Sequence, residues 1–159
     1  GRAFDVAYTP GHASHHVSYF DPSSRIAFVG DTAGVCIDDG EVVPPTPPPD
    51  IDLPLWAESA RRIEAWQPGT LFLTHFGPSL LPPSTHLQML LENLDMTSRL
   101  AQETLSIDAS DAERRTIFAE RLRQQLRRRM TEAQLASYGV AAPFEMLWDG
   151  LARYWRKKK

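Results

Sequence analysis

The chain has a single cysteine, Cys36, in 159 residues, so no internal disulfide can staple it and its stability must come from packing. That thiol usage fits a reducing compartment and predicts a cytoplasmic protein. Long apolar runs are missing too. None approaches the roughly 20 residues needed to cross a bilayer, and no signal-peptide pattern is visible, so no membrane partner is expected. Internal repeats are absent, which sets aside solenoid architectures. What remains is a chain with 42% hydrophobic residues, enough for a core, and of a length that suits one domain or one half of a larger domain plus an appendage.

Basic residues are scarce in the first two thirds and plentiful in the last. Residues 1–109 hold 5 basic and 14 acidic side chains, whereas 110–159 hold 12 basic and 6 acidic. The basic part includes Arg127-Arg128-Arg129 and Arg156-Lys157-Lys158-Lys159. Such a tail is compatible in principle with nucleic acid. The plainer readings are a solvated helix face, a frayed terminus or a tail docked on an acidic body, and nucleic acid is not expected as a partner.

Three motifs stand out: Thr9-Pro10-Gly11-His12, Gly30-Asp31-Thr32 and Thr74-His75-Phe76-Gly77-Pro78. Each follows an apolar run short enough to be a strand, at 4–8, 26–29 and 71–73. A His, an Asp and a His delivered from strand ends are suitable ligands for zinc or a related ion. Asp31 has the chemistry to bridge two ions, because a carboxylate offers two oxygens where imidazole nitrogen offers one lone pair. Two ions roughly 3.5–4 Å apart can share one water-derived nucleophile, which is how such sites attack a carbonyl. Cys36 lies five residues past Asp31, and a small buried residue is its expected role.

These residues, in this order, resemble the C-terminal half of a metallo-β-lactamase-fold hydrolase, the superfamily that includes glyoxalase II and bacterial lactonases. The resemblance implies an α/β fold, half of an αββα sandwich, followed by an all-helical appendage. It implies His12, Asp31 and His75 as metal ligands, with Asp31 the bridging, catalytic carboxylate. The implied cofactor is zinc, two ions in the full enzyme, with iron or manganese compatible with the same donors. The implied reaction is attack of metal-bound hydroxide on a thioester, lactone or related ester of a small-molecule substrate. His16 stands where many relatives carry histidine. With Thr32, which is expected to bond the Asp31 carboxylate, it belongs beside the ligands rather than on the ion; plain strand-end packing is the other reading of His16.

One departure qualifies the resemblance. The superfamily's His-x-His-x-Asp-His motif is absent, since the five histidines (12, 15, 16, 75 and 86) make no such pattern. The chain also begins at Gly1 without methionine, so a partial sequence is expected, with weak metal binding and negligible activity by itself. Three alternatives stay open: a mononuclear iron persulfide dioxygenase of the same fold, a non-catalytic binding module, and a nuclease branch suggested only by the basic tail.

The organisation expected is strands at 4–9, 16–20, 25–30 and 70–74, with Asp21-Pro22-Ser23-Ser24 turning a hairpin. A helix over 53–66 presents Trp56, Ala60, Ile63 and Trp66 to the core. The proline run Pro44, Pro45, Pro47, Pro48 and Pro49 predicts a stiff extended loop, either a wall of the pocket or a spacer. Residues 1–80 would form the half-domain and 81–159 the helical region. Thr85-x-x-Gln88 and Ser110-x-x-Glu113 read as capping boxes of two helices, and a last helix is expected near 143–155. That helix should dock on the body through Trp148, Tyr154 and Trp155 and lie over the pocket.

Overall fold

The computed structural model describes residues 1–47 and 49–158. Pro48 of the proline run and Lys159 of the basic terminus lie outside the described residues. Four strands, Asp5–Tyr8 (β1), Val17–Asp21 (β2), Ile26–Gly30 (β3) and Thr70–Leu73 (β4), form one sheet in the order β1-β2-β3-β4. β1 and β2 pair antiparallel, as do β2 and β3, while β3 and β4 are parallel. Two reversals return β1 to the direction of β3 and β4. The carboxyl ends of these three strands therefore share one edge of the sheet, and all three motifs leave from it.

The hairpin between β2 and β3 turns where expected. The Asp21 carboxylate accepts the Ser23 N–H at 2.9 Å, the Ser23 hydroxyl at 2.6 Å and the Ser24 hydroxyl at 2.8 Å. Those donors favour the charged form and hold its carboxyl down to about 2.

The two faces of the sheet differ. Phe20, Ala27, Val29, Leu71 and Leu73 point inward and pack with Ala60 and Ile63 of helix Leu53–Ala65 (α1) and Leu87 and Leu90 of helix Pro83–Leu105 (α2). Val6, Tyr8, Val17, Tyr19, Phe28 and Phe72 point outward and are 38–60% exposed. Strands apolar on both faces are suited to a sheet covered on both. α1 starts where Asp52 accepts the Leu55 N–H at 3.0 Å and Pro54 occupies the first turn. Trp66 at its end is half-buried and stacks on Phe20.

Beyond β4 the chain is helical: α2, then Asp111–Leu126 (α3), Glu132–Ala141 (α4) and Phe144–Lys158 (α5). α2 serves both parts, since Leu100 and Ala101 join a second core with Phe118, Leu122, Tyr138, Phe144 and Trp148. The Thr85-x-x-Gln88 box is a correction. α2 begins three residues earlier at Pro83, with no side-chain cap, and Gln88 donates instead to Glu92 at 2.8 Å. Pro82 and Pro83 set the start, because a proline in the first turn has no N–H needing a partner. The Ser110–Glu113 box is present on α3, and an unexpected twin, Thr131–Gln134, opens α4.

α5 docks through its aromatics, but their hydrogen-bond partners are on α2 rather than on the half-domain 1–80 as expected. Trp148 is buried and donates to the Thr104 hydroxyl at 2.9 Å, and Trp155 donates to the Ser98 hydroxyl at 3.1 Å. Charge pairing is mostly internal to the helical region: Arg115 with Asp149, Arg156 with Asp111, Arg127 with Glu132. Arg129 pairs across to buried Glu41 at 3.2 Å, and Asn93 donates to the same carboxylate. Among the described residues no helix is long and apolar enough to cross a membrane.

Candidate metal centre

The loop that carries His12 is pinned at every carbonyl before it. Thr9 O accepts the Thr32 hydroxyl at 3.1 Å, Pro10 O the Ser59 hydroxyl at 2.6 Å, and Gly11 O the Asp52 N–H at 2.9 Å. Gly11 is at φ +139, in the region that disfavours side chains, and an added Cβ would lie 2.3 Å from the Trp56 Cα. Only glycine allows the loop to lie that close to α1. Trp56 itself is fully buried, donates its indole N–H to Thr32 O at 2.6 Å, and meets the His12 ring edge-on at 5.6 Å.

His12, Asp31 and His75 converge. His12 Nε2 lies 3.8 Å from Asp31 Oδ2, and His75 Nε2 lies 3.7 Å from Asp31 Oδ1. These gaps are too long for hydrogen bonds. Two ligand atoms on one tetrahedral zinc, at bond lengths of 2.0–2.2 Å, stand roughly 3.3–3.6 Å apart, so each gap is within a few tenths of an ångström of what a cation between the pair requires. His12 Nδ1 is 2.7 Å from Pro45 O. A carbonyl only accepts, so Nδ1 carries the proton and Nε2 presents its lone pair toward Asp31. The donor set fits divalent ions. It forms a row with Asp31 in the middle: among the described residues no three of His, Cys, Asp or Glu gather around one ion position.

The other residues singled out from the sequence fall around this row. His16 Nδ1 is 3.1 Å from the Thr9 hydroxyl, which also meets the Ser18 hydroxyl at 2.8 Å. A Cβ on Gly30 would sit 2.3 Å from His16 Nε2, so this ring lies directly over the residue before Asp31. Burial, with His12 beside it, lowers the His16 pKa against the opposing pull of Asp31. Thr32 is a correction. It is fully buried, and its hydroxyl bonds Thr9 O rather than the Asp31 carboxylate, because the tight turn at Asp31–Ala33 points it inward. Cys36 is buried within reach of the Asp38 and Gly40 carbonyls, and burial pushes its thiol up to about 11. A thiol that hard to ionise is a poor ligand. His15 is exposed.

Sequence reasoning missed the Pro45 carbonyl. The proline loop is a wall of the site, since it orients His12, and it is held in turn by the Thr46 hydroxyl donating to Leu147 O of α5 at 2.8 Å. No sequence signal identifies which carbonyl a histidine will find. Trp56, expected as core, is core that also supports two of the three motifs.

Three comparisons bear on this geometry. A sequence model of the Metallo-beta-lactamase superfamily matches residues 1–76. The metallo-beta-lactamase fold-containing protein ST1585 of Sulfurisphaera tokodaii is 36% identical over 94 residues, 57% of this chain and 34% of that protein. The crystal structure of ST1585 from Sulfolobus tokodaii, described as an archaeal metallo-beta-lactamase superfamily protein, superposes with a TM-score of 0.56 at 26% identity, over 95% of this chain and 46% of that one. The metallo-beta-lactamase family protein TTHA1429 from Thermus thermophilus shares the fold with a TM-score of 0.62 at 18% identity, over 99% of this chain and 45% of that one. The chain thus spans about a third of the curated relative and less than half of each solved chain. With the strand order and the three motifs at one sheet edge, these matches show that the chain has the metallo-β-lactamase fold and that residues 1–76 are similar to the metallo-β-lactamase superfamily.

Proposed function

We propose that the chain supplies one side of a two-ion hydrolytic site, with His12 and His75 each on one ion and Asp31 between them. The observation that carries the reading is that the two Asp31 oxygens face separate imidazole nitrogens, at 3.8 and 3.7 Å. When bound, divalent ions there supply Lewis acidity and lower the pKa of bound water toward neutrality. The protein's part is to hold the donors. Pro45 O fixes the His12 proton on Nδ1, Trp56 braces the ring, and Asp31, 30% exposed, offers its charge to an open edge. The substrate class this chemistry suits is an activated acyl compound: a thioester, lactone or related ester. Phe76, exposed and against the His75 ring, would meet its apolar portion.

Two protein atoms per ion is fewer than the three or four zinc takes in most protein sites. Residues 1–159 alone are therefore expected to bind zinc weakly and to hydrolyse little. The test is a zinc titration of the chain and of Asp31→Asn, followed by calorimetry. Weak, saturable binding that Asp31→Asn abolishes supports the reading. Binding that Asp31→Asn leaves unchanged overturns it, and a single tightly held iron would favour the dioxygenase chemistry instead.

A further inference from the structure

A buried histidine outside the three motifs joins two of them. His86 lies in the first turn of α2 and is fully buried. Its Nε2 is 2.8 Å from Ala33 O, and its Nδ1 is 2.8 Å from the Ser79 hydroxyl. The carbonyl can only accept, so the proton is on Nε2 and Nδ1 accepts from Ser79. The Ser79 oxygen then accepts the Leu81 N–H at 3.2 Å. Every bond in this relay has one possible direction, and burial lowers the ring's pKa and keeps it neutral.

The two ends of the relay are the two loops of the candidate site. Ala33 closes the 3₁₀ turn that Asp31 opens, and the Gly34 N–H bonds Asp31 O at 2.9 Å. Ser79 lies four residues beyond His75. Its N–H bonds Leu71 O at 2.8 Å, next to the Leu73 N–H to Gly77 O bond at 3.1 Å that closes the His75 loop. A leucine would fill a similar volume without tying the loops together. The site thus has a polar strut between its two loops.

We propose that His86 is a positioning residue that couples the Asp31 turn to the His75 loop and thereby sets the Asp31–His75 separation. The inference rests on reading these residues as a metal site, but the coupling itself can be measured without metal. The test uses the 159-residue chain and three variants: His86→Leu makes neither bond, His86→Gln has the reach of Nε2 toward Ala33, and His86→Asn has the reach of Nδ1 toward Ser79. Hydrogen exchange is followed at the Gly34, Leu73 and Ser79 amides, with strand β2 as reference, beside a cobalt(II) titration read by its visible absorption. In His86→Leu the amides of both loops should exchange faster together while β2 is unchanged. Cobalt affinity should fall, by less than the roughly 10- to 100-fold that loss of a direct partner of a metal ligand costs, because His86 acts one residue further out. His86→Gln should restore protection at Gly34, and His86→Asn at Ser79. If His86→Leu does not fold, these two variants carry the test. Wild-type exchange at both loops, or acceleration spread evenly over β2, would overturn the proposal. If the wild-type chain takes up no cobalt, the metal reading falls, and the exchange data alone still decide whether His86 couples the loops.

Discussion

The two histidines that flank Asp31 are held in opposite ways. The His12 side chain is 13% exposed, has its Nδ1 on Pro45 O and rests edge-on against Trp56. His75 is 58% exposed and stands on a short turn in which Phe76 (φ 70) and Gly77 (φ 80) both take the left-handed conformation. Among the described residues no hydrogen bond reaches the His75 ring. On the proposed reading, one arm of the site is held before any ion is bound, and the other has fewer restraints. A rigid arm lowers the entropy cost of capture, and a loose arm lets the ligand-to-ligand distance change as charge moves. The contrast follows from chain position: the His12 loop is roofed by α1 and the proline loop, while the His75 loop ends at the open rim.

The largest effect should come from removing the support of the rigid arm. Trp56→Ala deletes a fully buried side chain and leaves Thr32 O without its donor. The expected cost is about 3–5 kcal/mol, measured by urea unfolding. Trp56→Phe keeps most of the packing and loses the bond, for roughly 1–3 kcal/mol plus a smaller loss from the space the indole leaves. If both variants unfold at the wild-type urea concentration, Trp56 does not brace the His12 arm.

Next in size is Thr46→Val, which cuts the link between the proline loop and α5 while preserving shape. The Thr46 side chain is buried and its hydroxyl donates to Leu147 O. Loss of the donor should cost about 1–3 kcal/mol. It should also raise the fraction of the alternative His12 tautomer, read from imidazole ¹⁵N shifts, because Pro45 O is no longer held in place. Unchanged shifts would mean that the loop needs no help from α5. The same link bears on the expectation that α5 is a lid. Phe144, Leu147, Trp148 and Leu151 belong to the core of the helical region, so removing 143–159 would strip that core, and the deletion by itself does not test for a lid.

What is legible in the sequence, and what is not, divides along chemical lines. The strands are legible because short apolar runs end in turn residues, and the convergence of His12, Asp31 and His75 because His and Asp after strand ends suggest a shared site. α4 escapes notice, although Thr131-x-x-Gln134 is the same signature as the Ser110 box. Its ten residues bury only Leu135 and Tyr138, too little apolar pattern to stand out. The Pro45 carbonyl and the His86 relay are hidden for a different reason. A backbone carbonyl has no sequence identity, and the bonded partners lie 33 and 53 residues apart. The acceptor of the Thr32 hydroxyl differs from the expected one because the turn direction at Asp31–Ala33 is a tertiary outcome.

Acid should probe the Asp31–His75 side through His86, while buried His16 adds a dependence of the same sign on the His12 side. The His86 pKa is lowered from its ordinary value near 6.5 because burial penalises the charged ring. The unfolded chain therefore binds the extra proton more readily than the folded one. Stability from this residue is fully present above about pH 6.5 and is lost as pH falls from there toward the folded value. Unfolding free energy measured from about pH 7.5 down to about pH 5 should fall less steeply for His86→Gln than for wild type. Parallel slopes would place the acid sensitivity elsewhere.

The smallest effect, and the one that most sharpens the contrast, is expected of Phe76→Gly. A bulky residue at φ 70 carries a steric penalty of roughly 1–2 kcal/mol, which glycine relieves. Glycine also gives the unfolded chain more freedom, worth about 0.4–1 kcal/mol in the other direction. The two nearly cancel, so the unfolding midpoint should rise slightly or not move. Two consecutive glycines at 76 and 77 would nevertheless leave the His75 loop freer in the folded state. If His75 is the adjustable arm, zinc affinity should fall with stability unchanged, because the loop now loses more entropy on capture. A drop in stability would show that Phe76 contributes packing that outweighs its strain, and unchanged affinity would show that the His75 loop is as firmly held as the His12 loop.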